Sequence, residues 1–383
     1  MDEYKRILNL DQLLHKKSFF LFGPRGVGKS TLIRKQLSPD KIVYINLLKS
    51  SEYLKYQTNP SQLEEVVQAH PKKWIVIDEI QRIPELLNEV HRLIEEKKTK
   101  FLLTGSSSRK LKMEGVNLLA GRAWRSELFP LVQSEIKHFS LDRALRHGTL
   151  PAVYKSDDPE EELDAYCEAY LREEITQEHL IRKLPPFVRF LKIAALSSGQ
   201  IVNYTKIGSD AQISPNTIKQ YFQVLYDTLI AFQITPVEMA ASRKSIEAPK
   251  FYLFDCGVMN TLAQTEHLDR NSDLYGRAFE TWFFNELRSF LSYTRIKKQI
   301  HFWQDYNQNE VDFVIGNTAI EVKATKRAQS EDLICLNKLG ELRTIKNKFL
   351  VCQEEGTRKK NDVIIIHWQI FLSKLWTKDI VLG

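Results

Sequence analysis

The sequence predicts an α/β protein in three parts. A phosphate-loop domain spans residues 1–150, a helical middle with the pattern of a winged helix spans 151–240, and a second α/β domain built on an acidic hairpin spans 241–383. Three observations predict this. The apolar run Phe19 to Phe22 leads into a glycine-rich loop and then a helical segment. Helix, short turn and helix follow one another between Tyr204 and Ile230. Two runs alternating with period two flank Gly316-Asn317, a two-residue hairpin signal.

A chain of 383 residues has room for two or three cores, and 43% hydrophobic with 27% charged residues is an ordinary globular composition. The N-terminal MDEYKRILNL is charged and lacks a signal-peptide core. No run approaches the roughly 18 to 20 apolar residues of a membrane span, so the expectation is a cytoplasmic protein with no membrane partner. Cys167, Cys256, Cys335 and Cys352 are far apart and form no C-x-x-C pair, which argues against a disulfide framework and a zinc site. A net charge of +7 admits an anionic partner such as DNA, but the basic residues are dispersed and charge alone selects none.

Gly23-Pro24-Arg25-Gly26-Val27-Gly28-Lys29-Ser30, followed by Thr31, matches the spacing G-x-x-x-x-G-K-[ST]. Glycines let the backbone turn tightly with its N–H groups inward, and the helix that follows presents its positive end to the same phosphates. Lys29 is expected to meet the β- and γ-phosphates and Ser30 to ligate Mg²⁺. Two strand-length runs follow, Lys41 to Leu47 and Lys73 to Asp78. The second ends in Asp78-Glu79, as a buried parallel strand does when it delivers acids to a nucleotide site. Asp78 would hold Mg²⁺ through water and Glu79 would orient the attacking water, although the pair also suits the N-terminus of the next helix. Phe101 to Gly105 is the next strand, ending in the polar cluster Thr104 to Ser108. A hydroxyl there would sense the γ-phosphate or place the water, or simply make a turn. Arg122 precedes a last strand at Ser126 to Phe129 and reads either as a charge-stabilising finger or as one half of an ion pair.

These stretches resemble the AAA+ branch of P-loop ATPases, and more narrowly the prokaryotic ATP-binding proteins that join such a domain to a nuclease-like C-terminus. The resemblance rests on GPRGVGKS at 23–30, WIVIDEIQ at 74–81, LLTGSSS at 102–108, LAGRAW at 119–124, LFPL at 128–131 and GTLPAVY at 148–154. Members usually carry two glycines before the Leu-Pro of the last motif, where Gly148-Thr149 stands here. The resemblance implies ATP and Mg²⁺ as ligands; its members often form rings, and in such a homo-oligomer a finger such as Arg122 would act across subunits, although the sequence does not give the oligomeric state.

In the middle, Asp157 to Glu178 and Phe187 to Ser197 are helical in pattern. Ser214-Pro215 caps a helix with Ile218, Tyr221, Phe222, Leu225 and Leu229 on one stripe. Ala231 to Pro236 would be a wing strand. Asn216, Lys219, Gln220 and Gln223 form the face a DNA reader would use. Yet Arg189, Lys192, Lys206 and Lys219 barely outnumber Asp210, Asp227 and Glu238, which favours a scaffold or a weak DNA contact over a dedicated reader.

The C-terminal hairpin 309–325 places Asp312 opposite Glu321 and Glu310 opposite Lys323, all on one face. Facing carboxylates repel unless a cation lies between them. Asp312 and Glu321 are the expected Mg²⁺ ligands, Glu280 on the helical run Tyr275 to Leu291 the third, and Lys323 the residue that positions water or stabilises charge. The alternative is a solvated hairpin with a Glu310–Lys323 ion pair. The constellation resembles the PD-(D/E)xK nuclease superfamily, with Asp312 as first acid, Glu321-Val322-Lys323 as E-x-K and Val311 where a proline is often drawn. That implies a restriction-endonuclease-like α/β domain acting on DNA. Leu350 to Cys352 and Val363 to Trp368 would complete its sheet, with Arg358-Lys359-Lys360 in a loop that contacts a nucleic-acid backbone or in a solvated turn. The sequence therefore supports an ATPase coupled to a metal-dependent nuclease domain, or a nucleotide-dependent switch that binds DNA or protein without cutting.

Overall fold

A computed structural model describes residues 4–106, 119, 121–170, 181, 183–238 and 248–382. Ser107, Ser108, Ala120, Glu178 and Ala240, which figure in the sequence expectations, lie outside the described residues. The chain divides into two compact units, Met1–Leu131 with Asp227–Ile230, and Val132–Tyr226 with Ala231–Gly383. The expected boundary at residue 150 falls inside the second unit, and the expected boundary at 240 falls within its span as well.

The first unit is built on a five-stranded sheet of β1 (Ser18–Phe22), β2 (Ile42–Asn46), β3 (Trp74–Asp78), β4 (Phe101–Gly105) and β5 (Ala123–Glu127), ordered β2-β3-β4-β1-β5. Every pairing is parallel. Successive side chains of a strand point to opposite faces, and Ile75, Val76 and Ile77 are all 0% exposed, so both faces are covered. Such strands read as continuous apolar runs, which is why β1, β3 and β4 stood out in the sequence. The last strand lies earlier than the expected 126–129. Ser18 pairs with Ala123 and Phe22 with Glu127, which makes β5 an edge strand whose outward residues Trp124 and Arg125 are exposed and carry little apolar signal. The order matters for function because β4 lies between β1 and β3, and in open parallel sheets ligands bind outside the carboxyl ends of the strands.

The second unit opens with the helices Leu141–His147, Pro151–Lys155, Pro159–Ala169 and Leu184–Leu196. Gly148 joins the first two with φ 73° and ψ −167°, a region open essentially to glycine. A Cβ there would meet Asp255 Oδ1 at 1.9 Å. The buried Asp255 carboxylate accepts the Thr149 N–H at 2.7 Å and caps helix Cys256–Ala263 through the Val258 N–H at 3.1 Å. The GTLP turn is thus a joint between two segments far apart in sequence.

Helices Tyr204–Ala211 and Pro215–Asp227 follow. The Ser214 hydroxyl accepts the Thr217 N–H at 3.3 Å, the expected cap, and Ile218, Tyr221, Phe222 and Leu225 are buried while Asn216, Lys219, Gln220 and Gln223 are exposed. β6 (Ala231–Ile234) pairs antiparallel with β7 (Lys250–Leu253), a strand that the sequence reading did not separate from its surroundings.

After the long helix Asp273–Tyr293 comes a mixed sheet of β8 (His301–Gln304), β9 (Glu310–Ile315), β10 (Thr318–Val322), β11 (Asn347–Cys352), β12 (Thr357–Lys360) and β13 (Val363–His367), ordered β12-β13-β11-β10-β9-β8. β9 and β10 form the predicted hairpin: Ile315 pairs with Thr318, Val314 with Ala319 and Phe313 with Ile320, so the next facing pair in that register is Asp312 and Glu321. Arg358, Lys359 and Lys360, expected in a loop, belong instead to the exposed edge strand β12. Asn361 and Asp362, both with positive φ, make the two-residue turn into β13, a hairpin signal that the charged run obscured. All four cysteines are free. Among the described residues no helix is long and apolar enough to cross a membrane.

Candidate functional site

The first site lies at the carboxyl ends of β1, β3 and β4. β1 ends in Phe22, and the loop Gly23 to Gly28 turns into helix Lys29–Gln36. Gly26 and Gly28 have φ of 79° and 92°, and a Cβ on Gly23 would lie 2.4 Å from the Leu128 carbonyl oxygen. The loop therefore needs glycine at these positions for backbone reasons. Pro24 and Val27 are buried, Arg25 and Thr31 are exposed, and Lys29 is 6% exposed. The Lys29 ammonium is held inside the loop by the carbonyls of Gly23 at 2.7 Å and Pro24 at 3.1 Å. From outside the loop, Arg6 donates to the Val27 carbonyl at 2.8 Å and the Phe129 carbonyl at 2.6 Å, a brace that the sequence reading missed.

Asp78 is 2% exposed and collects three hydroxyl donors. Ser30 donates to Oδ2 at 2.9 Å, Tyr44 donates to the same oxygen and Thr104 to Oδ1. Burial and the Asp78 carboxylate push the Tyr44 hydroxyl well above the ordinary tyrosine value, so it stays a donor. Glu79 takes the left-handed conformation, φ 62° and ψ 48°, unusual for a residue with a Cβ, and donates its backbone N–H to Thr104 Oγ1 at 3.1 Å. The Glu79 carboxylate accepts from Gln81 and, at 3.3 Å, from Ser106, while Gln81 also reaches Ser106 Oγ at 3.2 Å. The hydroxyls of Thr104 on β4 and of Ser106 just after it thus organise both acids. Sequence inspection flagged the β4 end but not Tyr44 or Gln81. Tyr44 sits on β2, whose register places its neighbour Asn46 beside Asp78. Arg122 forms an ion pair with Glu95, both partly exposed, which is the plainer of the two expected roles.

The donor set fits a nucleotide with Mg²⁺. Hydroxyl and carboxylate oxygens of Ser30 and Asp78 are already in contact, hard ligands of the kind Mg²⁺ prefers, beside a loop without side-chain bulk at its glycines. Ser30 and Asp78 would hold the ion, and Lys29 the phosphates.

The second unit carries the acidic cluster. Glu280, Glu310 and Asp312 each offer an oxygen within 4.8 Å of the others. Lys250, which the sequence reading did not single out, reaches all three. Its Nζ lies 3.0 Å from Glu280 Oε1 and 3.7 Å from Asp312 Oδ1 and pairs with Glu310. Tyr252 donates to Glu280 Oε1 at 2.7 Å, Gln304 to Glu310 Oε2 at 2.8 Å and the Val322 N–H to Asp312 Oδ2 at 2.8 Å. Lys323 pairs with Glu321 at 2.8 Å and Glu310 with Lys250, so the Glu310–Lys323 ion pair of the alternative reading is replaced by two others. Burial, reinforced by the Asp312 charge, raises Glu280 to about 7 and Glu321 to about 8. Burial pulls the Lys250 ammonium down, but Glu280, Tyr252, Asp312 and Glu310 outweigh it and hold it well above the usual lysine value.

The expected Mg²⁺ ligands Glu280, Asp312 and Glu321 do not fit a metal in this arrangement. Mg²⁺ wants near-octahedral oxygens at about 2.0–2.1 Å. Here an ammonium sits among the oxygens, and each of the three acids already takes a protein cation or N–H donor.

Comparison with known proteins assigns residues 15–137 to the AAA domain family profile. Residues 138–269 match a domain of unknown function (DUF8612), and residues 275–371 match another (DUF4143). Uncharacterized proteins of Mycobacterium tuberculosis and Mycobacterium bovis are each 25% identical over 249 residues, covering 63% of this chain and 55% of the relative. An uncharacterized protein of Haemophilus influenzae is 24% identical over 267 residues, covering 62% of this chain and 66% of its own. The chain thus spans about half the length of the mycobacterial relatives it matches. Among solved structures, Drosophila ORC bound to AT-rich DNA and Cdc6 superposes with a TM-score of 0.25 at 8% identity, covering 67% of this chain and 89% of that one. C. elegans PCH-2 gives 0.22 at 14% identity, covering 55% and 60%. Superpositions this weak carry no argument. The profile match, the parallel sheet and the loop agree on an AAA-type P-loop domain in the first unit.

Proposed function

We propose that this chain binds and hydrolyses ATP and uses the nucleotide cycle to switch the engagement of a partner, DNA or protein, by its second unit. The observation that carries the reading is the linked set Ser30–Asp78–Thr104–Glu79, which joins the phosphate loop to a carboxylate held beside it. Lys29 would neutralise the β- and γ-phosphates. Glu79, oriented by Gln81 and Ser106, would hold the attacking water and receive its proton. Bound Mg²⁺ would supply charge stabilisation on the phosphate oxygens. Arg122 pairs with Glu95, and a finger role in a homo-oligomer would require that pair to open.

DNA as partner is supported by the exposed row Asn216, Lys219, Gln220 and Gln223 on a capped helix, the placement a winged helix would use. Phosphodiester cleavage is not part of the reading, since the acids of the nuclease-like pattern are held by protein cations. The test is phosphate release and nucleotide binding for the parent, Lys29→Ala and Glu79→Gln, with and without duplex DNA. Lys29→Ala is expected to lose binding. Glu79→Gln is expected to keep binding and lose turnover by roughly 100-fold. Unchanged affinity and turnover in Lys29→Ala would overturn the ATPase reading. Turnover and nucleotide affinity indifferent to DNA would transfer the partner to a protein.

A further inference from the structure

The Lys250 ammonium occupies the centre of three carboxylates, and its stem is fixed. Lys250 is 1% exposed, and its backbone is bridged by Ile234 on one side and Ile201 on the other. The rings of Tyr252 and Phe302 lie 5.9 and 5.8 Å from Nζ. The Lys250 side chain is itself buried, and three carboxylate oxygens within 4.8 Å of one another demand a cation. The acids come from different elements: Glu280 from helix Asp273–Tyr293, Glu310 and Asp312 from β9. The ammonium therefore ties β7, the long helix and β9 together. Beside it, Glu321 is 5% exposed with Oε1 on Lys323 and Oε2 without a hydrogen-bond partner, so the neighbouring acid is also served by a lysine.

We infer that Lys250 is the built-in counterion of this cluster, standing where a divalent cation would, and that the second unit keeps the cluster metal-free. Removing the ammonium while keeping the carboxylates converts the cluster into a divalent-cation site. The inference does not rest on the ATPase reading. A second cation beside the ammonium would be repelled across only a few ångströms. Without the ammonium, three oxygens and the adjacent Glu321 offer Mn²⁺ or Mg²⁺ the hard donors they prefer.

The experiment measures Mn²⁺ binding to the full chain, freed of nucleotide, by the loss of the free-ion electron paramagnetic resonance signal. Parent, Asp312→Asn, Lys250→Met and the double variant are compared. Any ion held by the phosphate loop is common to all four and cancels. Parent and Asp312→Asn are expected to give the same isotherm. Lys250→Met is expected to gain one further Mn²⁺ per chain, with affinity at least roughly 100-fold above any Asp312-dependent binding in the parent, and the double variant to lose it. An Asp312-dependent ion in the parent would overturn the inference, and so would a folded Lys250→Met that gains nothing. If Lys250→Met fails to fold by circular dichroism, Lys250→Gln takes its place, and the comparison of parent with Asp312→Asn still decides whether the native cluster holds a metal. Loss of ATP turnover in Lys29→Ala is scored separately, so the two readings can fail independently.

Discussion

Thr104→Val is the most informative single change in the first unit. Thr104 is 0% exposed, and its hydroxyl donates to Asp78 Oδ1 while accepting the Glu79 N–H at 3.1 Å. Valine keeps the shape and removes both bonds, so no cavity opens. A hydrogen bond to a charged group contributes about 1.5–3 kcal/mol, and an enclosed amide left without an acceptor costs about 1–3 kcal/mol. Shared partners make the two terms less than additive, and the expected loss is about 3–4 kcal/mol. Hydrogen exchange across β3 and β4, read together with urea unfolding, reports that loss in the first unit. Turnover should fall roughly 10- to 100-fold because Glu79 loses one of its restraints, while affinity for nucleotide without Mg²⁺ stays close to the parent's. Thr104→Ser retains the hydroxyl and should recover most of both quantities. A valine variant within about 0.5 kcal/mol of the parent and with full turnover would refute the claim that β4 organises the acids.

Two further predictions concern the second unit. Gly148→Ala forces a Cβ to 1.9 Å from Asp255 Oδ1 at a φ of 73°, so the joint must break; a loss above about 4 kcal/mol is expected in chemical unfolding, and a mild effect would show that the turn can relax. Glu286 is 2% exposed, with Oε1 accepting the Gln133 N–H at 2.6 Å and Oε2 unpartnered, and burial raises it from 4.5 to about 8. A carboxyl that binds its proton more tightly when folded contributes stability fully below its unfolded value, and that contribution is lost as pH climbs through about 8. Glu286→Gln, which cannot ionise, should therefore match the parent near pH 5 and exceed it by about 2–4 kcal/mol near pH 9; equal differences at both pH values in thermal melts would contradict the burial argument.

What could be read from the sequence was what local pattern encodes. The phosphate loop is a contiguous string, and the β9–β10 register follows from alternation about Gly316-Asn317, so Asp312 and Glu321 could be paired without coordinates. Edge strands were harder. β5 and β12 give little signal of their bounds in the sequence, because a strand with a solvated side need not carry the apolar run that marks a buried one. Lys250 was least legible. A lysine opening a short run reads as a solvated residue, and nothing near it in the chain announces three acids, since Glu280, Glu310 and Asp312 arrive from other elements. The hairpin's acids stated a need for positive charge, and Mg²⁺ with Lys323 was the cation set that the local sequence suggested. Burial selects differently between the two solutions. A tethered ammonium brings one charge and, although burial strips its hydration too, is held by the strand that carries it, whereas Mg²⁺ dehydrates reluctantly and demands ligand geometry. Lys250 and Lys323 between them meet Glu280, Glu310, Asp312 and Glu321, so the cations of the cluster are supplied by the chain itself.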